Sequence, residues 1–105
     1  MGLLKIAIYS TPSGKAPFSE WQNTLDIPTR ALIKTRISRV KLGNFGDCKS
    51  VGDGIRELRI NYGPGYRIYF GMQGSTLVIL LTGGDKRSQL RDIAKAKKYW
   101  LEYKG

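Results

Sequence analysis

Five residues, Asn61-Tyr62-Gly63-Pro64-Gly65, constrain this chain more than any others. Two glycines and a proline in so short a stretch mark a reversal. The runs on either side, Ile55–Ile60 and Tyr66–Gly71, alternate apolar and polar residues, and together they predict a β-hairpin. Alternation places Leu58, Ile60, Ile68 and Phe70 on one face and Glu57, Arg59, Arg67 and Tyr69 on the other. A symmetric loop sets Ile60 opposite Tyr66 and Arg59 opposite Arg67. Gln73-Gly74 marks the next turn. Ser75–Thr82 then has the continuous apolar character of a central, buried strand, which Gly83-Gly84 interrupts. Strands joined by such tight turns form a meander, and a meander is antiparallel.

The remaining elements surround that meander. Leu3–Tyr9 reads as a strand with Leu4, Ile6 and Ile8 on one face. Pro17 suits the first turn of a helix, on which Phe18, Trp21 and Leu25 form a stripe. Pro28 permits a second helix start, and Ala31, Ile33, Ile37 and Val40 continue an apolar face until Gly43. Asn44–Asp53 reads as a polar loop. A last helix is predicted over Ser88–Tyr103, with Leu90, Ile93, Ala94, Trp100 and Leu101 on one side. The order β-α-α-β-β-β-α describes an α+β domain with a four-stranded antiparallel sheet whose apolar face is covered by helices. The 105 residues suit one such domain, spanning 1–105, with one modest core.

Charge narrows the function. Eighteen Lys and Arg against eight Asp and Glu give a net charge of +10. That much self-repulsion opposes compaction, and its usual use is to meet a polyanion such as nucleic acid, or an acidic protein partner. The strand region 51–85 holds only Arg56, Arg59 and Arg67 against Asp53, Glu57 and Asp85. The helices therefore carry the general field and the sheet a few selected charges. No apolar run approaches the ~18 residues of a membrane span, and Met1–Tyr9 lacks the pattern of a secretory leader. Cys48 is alone, so no internal disulfide forms. A cytoplasmic protein without membrane contact is expected. The chain has no histidine, which rules out Cys–His and His–His chemistry and leaves a structural zinc site without ligands.

Two places stand out for chemistry. Arg59 and Arg67, directly opposite, would repel each other across the strand pair. An anion between them reverses that penalty, and planar guanidinium groups suit phosphate. The alternative is that Glu57 pairs with an arginine and all three are surface decoration. The second place is Gly83-Gly84-Asp85-Lys86-Arg87-Ser88, where Lys86 and Arg87 oppose the dipole at a helix N-terminus unless an anion binds there. Asp85 could instead be a simple N-cap. The spacing is not that of a Walker-type phosphate loop.

The strings "GIRELRINYGPGYRIYF" and "LVILLTGGDKRSQLRDIAKAKKYW" resemble the addiction-module killer proteins, the Gp49-like branch of the RelE/ParE/HigB superfamily. The likeness covers roughly residues 54–100. It implies a RelE-like, microbial-ribonuclease-like sheet and a toxin of a type II toxin–antitoxin module. It implies a ribosome-dependent endoribonuclease that cuts mRNA by 2′-hydroxyl attack, with neither metal nor cofactor, and so inhibits translation. Carried over residue by residue, the catalytic set is Glu57 as base, Arg59, Arg67 and Lys86, with Arg56, Tyr69, Arg87 and Arg91 as RNA-binding residues. Leu90 and Arg91 stand where several active relatives carry histidine or tyrosine. The partners implied are mRNA, the ribosome and a helix-turn-helix antitoxin through which the complex binds operator DNA. Two alternatives stay open, a ParE-like toxin that poisons gyrase without nuclease activity and a non-catalytic RNA-binding module.

Overall fold

The computed structural model describes residues 3–105. The reading of Met1–Tyr9 as leaderless begins on Met1 and Gly2, which lie outside the described residues. The strands are β1 (Lys5–Ile8), β2 (Cys48–Gly52), β3 (Ile55–Ile60), β4 (Tyr66–Gln73) and β5 (Leu77–Asp85). The helices are α1 (Pro17–Asn23), α2 (Ile27–Lys41) and α3 (Gln89–Lys104), the last preceded by a 3₁₀ turn at Lys86–Ser88. Both helix starts follow local rules. Pro17 opens α1, and Asp26 caps α2 by accepting from the Thr29 N–H at 3.0 Å. Among the described residues no helix is long and apolar enough to cross a membrane.

The domain is α+β, but its sheet has five strands in the order β1-β5-β4-β3-β2 rather than the expected four. The added strand, β2, lies inside the segment read as the polar loop Asn44–Asp53. As a short edge strand with a register shift at Ser50/Gly52, it buries little and shows no alternating apolar signal; Lys49 and Ser50 are exposed. Nor is the sheet wholly antiparallel, because β1 pairs with β5 in parallel, Ile8 lying opposite Leu80. The meander argument reaches only strands joined by tight turns. β1 is joined through two helices, a connection that leaves its direction free.

The hairpin register is the one read from the symmetric loop, with Arg59 opposite Arg67 and Ile60 opposite Tyr66. The helices, however, cover both faces of the sheet. On one side Phe18, Ile33 and Val40 of α1 and α2 pack on Leu58, Ile68, Phe70, Val78 and Leu80. On the other, Ala96 and Trp100 of α3 pack on Ile55, Tyr69, Ile79 and Leu81. β5 thus contributes to two cores, the reason its apolar run is unbroken. Two-sided packing also changes which helix residues are inside. Ile93, Ala96 and Trp100 dock, whereas Leu90 and Leu101 are exposed at 86% and 68%. Ala94 and Ala31 face outward, and Ile8, unlike Leu4 and Ile6, is exposed and stays out of the core.

Trp100 lies directly over Gly71 of β4, where an added Cβ would come within 2.6 Å of the indole. Gly71→Ala is therefore an overpacking change and should cost about 1–3 kcal/mol. The check is a urea unfolding curve. An unchanged midpoint would mean that α3 is not seated on β4 in this way.

Candidate active site on the β3–β4 hairpin

Alternation along β3 and β4 turns Glu57, Arg59, Arg67 and Tyr69 toward α3, with Glu57 opposite Tyr69 one step from the arginine pair. The anion between the arginines is supplied by the chain itself. Glu57 is fully buried. Its Oε1 accepts from Arg59 Nε at 3.1 Å. Its Oε2 accepts from Tyr69 Oη at 3.0 Å and from Gln89 Nε2 at 2.9 Å. Arg67 Nε lies 3.6 Å from the same oxygen and has no hydrogen-bond partner among the described residues. Burial by itself would raise the Glu57 pKa. Hydrogen bonds from Gln89, Arg59 and Tyr69, with the Arg67 charge, outweigh it and hold the carboxyl below the ordinary range. For Tyr69 the balance is opposite. Burial, then the charge and hydrogen bond of Glu57, push the phenol up, so it stays protonated as a donor to Glu57.

Beyond this ionic core the arginines open onto a cavity of about 250 Å³ at the hairpin end, lined by Asp47, Arg59, Asn61, Tyr66, Arg67 and Lys86 among others. Arg67 Nη1 donates to the Gly65 carbonyl at 3.2 Å. Its side chain is 11% exposed and that of Arg59 34%. Lys86 reaches the cavity from the 3₁₀ turn. That turn has a capping box. Asp85 accepts from the N–H groups of Arg87 and Ser88, and Ser88 Oγ bonds back to the Asp85 N–H. Asp85 is thus the N-cap, and despite its partial burial these bonds and the Arg87 charge lower its pKa.

The fold therefore brings Glu57, Arg59, Arg67, Tyr69 and Lys86 together. Tyr69 is enclosed and bonded to Glu57, so in this conformation its ring presents no face to a ligand. Arg56 points to the opposite face of the sheet, its guanidinium 5.6 Å from the centre of the Phe45 ring. Arg87 and Arg91 line a neighbouring groove rather than the cavity. Sequence reasoning missed Gln89, Asp47 and Asn61. Gln89 had one signal, its position at the start of a helix whose first turn had to pass the end of the hairpin. Asp47 and Asn61 lie in loops and had none. Among the described residues no three His, Cys, Asp or Glu side chains cluster so as to hold a metal ion.

The family described as phage-derived protein Gp49-like matches residues 20–100. An uncharacterized protein of Haemophilus influenzae is similar to this chain, 53% identical over 81 residues, covering 76% of this chain and 82% of the relative.

Replacing the buried carboxylate tests its charge. Glu57→Gln leaves two arginines beside an uncharged amide and should cost about 3–5 kcal/mol near neutral pH. Because the folded pKa of Glu57 is depressed, its contribution is complete above the unfolded pKa of about 4.3 and is lost as pH falls toward the folded value. The stability gap between the wild type and Glu57→Gln should therefore narrow below about pH 4.3. A gap that stays constant in urea melts across that range would show that folding does not depress the Glu57 pKa.

Proposed function

The chain belongs to the phage-derived Gp49-like family, and from that premise we propose that it is a RelE/ParE-type toxin, one domain over residues 1–105, that cuts mRNA on the ribosome. The family is associated with toxin–antitoxin pairs. The observation that carries the nuclease reading is the pair of opposed arginines. They are held from behind by a buried carboxylate and open, with Lys86, on a cavity of about 250 Å³ that has room for a phosphate group. Glu57 meets each arginine at Nε, which leaves terminal N–H groups for a second anion.

In the proposed reaction Arg59 and Arg67 hold the non-bridging oxygens of the scissile phosphate. They bind more strongly as charge builds on those oxygens during attack. The neighbouring 2′-hydroxyl oxygen forms a bond to phosphorus while the bond from phosphorus to the 5′-oxygen breaks. The 2′ proton leaves to water, made more acidic by the three nearby cations. Lys86 donates a proton to the departing 5′-oxygen and recovers one from solvent. Glu57, expected from the sequence to be the base, is better suited to positioning. Its carboxylate is enclosed, its hydrogen bonds are taken and its basicity is lowered. No step is routed through a metal or cofactor.

The partner under this reading is a helix-turn-helix antitoxin with an acidic surface, drawn to the +10 toxin and carrying the pair to operator DNA. For the catalytic claim, Arg67→Ala should remove a phosphate ligand and lower cleavage by about 10²–10³-fold, with growth arrest lost and the circular dichroism spectrum kept. Transcript 5′-end mapping after induction checks it. Undiminished toxicity in the soluble variant overturns the assignment, and broken chromosomes with intact transcripts would replace it with a gyrase poison.

A further inference from the structure

β1 ends at Ile8, opposite Leu80, so the last five residues of β5, Leu81–Asp85, have a strand neighbour only in β4. The gap beside them is a groove of about 610 Å³ between α1 and α3. Two glycines shape its floor. A side chain at Gly83 would run into Trp21, and one at Gly84 into Asp92. With neither present, α1 and α3 close to a channel instead of being pushed apart. The α1 wall presents Trp21, in edge-to-face contact with Tyr66 at 6.2 Å between ring centres. The α3 wall presents Arg91 and Lys95, which are one helical turn and about 6 Å apart along the axis. Both are exposed, and among the described residues neither has an ion-pair partner. The groove holds two carboxylates besides the capping Asp85. Asp92 is buried and accepts from Ser88 Oγ, and Glu20 lies on the α1 rim across from the basic wall.

The groove adjoins the arginine cavity. Tyr66 lines both, and along the 3₁₀ turn Lys86 serves the cavity while its neighbours Asp85 and Arg87 serve the groove. We propose that this groove is a binding track for the single-stranded RNA flanking the cut. Arg91 and Lys95 follow the phosphates, and Trp21 with Tyr66 receives an unstacked base. A basic row facing aromatic rings is the chemistry by which proteins hold single strands without reading sequence. Adjacency to a cavity lined by Arg59, Arg67 and Lys86 favours one strand running through both sites over a separate acidic peptide. The inference rests on the RNA reading of the cavity.

The experiment uses the full chain and RNA made uncleavable by 2′-O-methylation. A hexanucleotide is followed by fluorescence anisotropy across salt, and a dinucleotide by NMR titration. Arg91→Ala/Lys95→Ala should weaken the hexanucleotide and lower the magnitude of its log–log salt slope by about 1.4, two phosphate contacts on a single strand. The dinucleotide should bind as before. Lys34→Ala/Lys41→Ala, on exposed α2 positions outside the groove, should leave the hexanucleotide slope near that of the wild type. Hexanucleotide binding unchanged in the Arg91/Lys95 variant overturns the track, as does an equal loss in the α2 variant. Hexaglutamate that competes as well as the hexanucleotide overturns it in favour of a protein occupant. Arg67→Ala should weaken both oligonucleotides. If it weakens neither while the Arg91/Lys95 loss persists, the cavity reading fails and the groove remains an RNA site.

Discussion

A carboxylate with no solvent contact holds this molecule's functional end together. Glu57 sits where two arginines would otherwise face each other directly across a strand pair, an arrangement that is destabilising on its own. Its two oxygens gather donors from three elements: Arg59 from β3, Tyr69 from β4 and Gln89 from the start of α3. Burying such a group is costly, and a buried ion pair is weak evidence for stability; its best-attested service is to fix register. Here what it holds is the place where α3 begins against the β3–β4 hairpin, whose register the loop already sets.

That placement depends on the two-sided sheet. If all three helices lay on one face, Glu57 and Tyr69 would be exposed on the other. Surface exposure would reduce the ion pairs to marginal interactions. Because α3 crosses the second face, the same residues are enclosed, and only the ends of the arginines and Lys86 reach the cavity. The strand-to-helix junction makes this possible. The Asp85–Ser88 capping box satisfies the free N–H groups of the turn locally, so α3 can start immediately after β5 and bring Gln89 to the carboxylate.

The distribution of charge follows the same division. Ten of the eighteen positive side chains lie on α2 and α3, where the exposed ones create a long-range field that salt readily screens. Two on the sheet, Arg59 and Arg67, are partly buried and tied to an internal counter-ion. They are therefore set in position before any ligand arrives, and little ordering is left to be done on binding.

The sequence by itself determined the local structure of the functional half. The five-residue loop fixed the hairpin, its register and the facing of Arg59 and Arg67. The apolar run marked β5 as central, and Asp85 at a helix start marked a cap. Each of these follows from neighbours in the chain or from strand periodicity. Whether Glu57 was surface decoration or a buried keystone did not, because strand alternation assigns a face without saying what covers it. Only the tertiary structure decided that α3 takes that face, that β1 joins β5 in parallel, and that β2 extends the far edge without an apolar signal. It also grouped Arg87, Arg91 and Lys95 along a groove. These outcomes rest on contacts between segments far apart in sequence. They depend on which helix reaches which face first with a complementary surface, and no periodicity within a single segment encodes that.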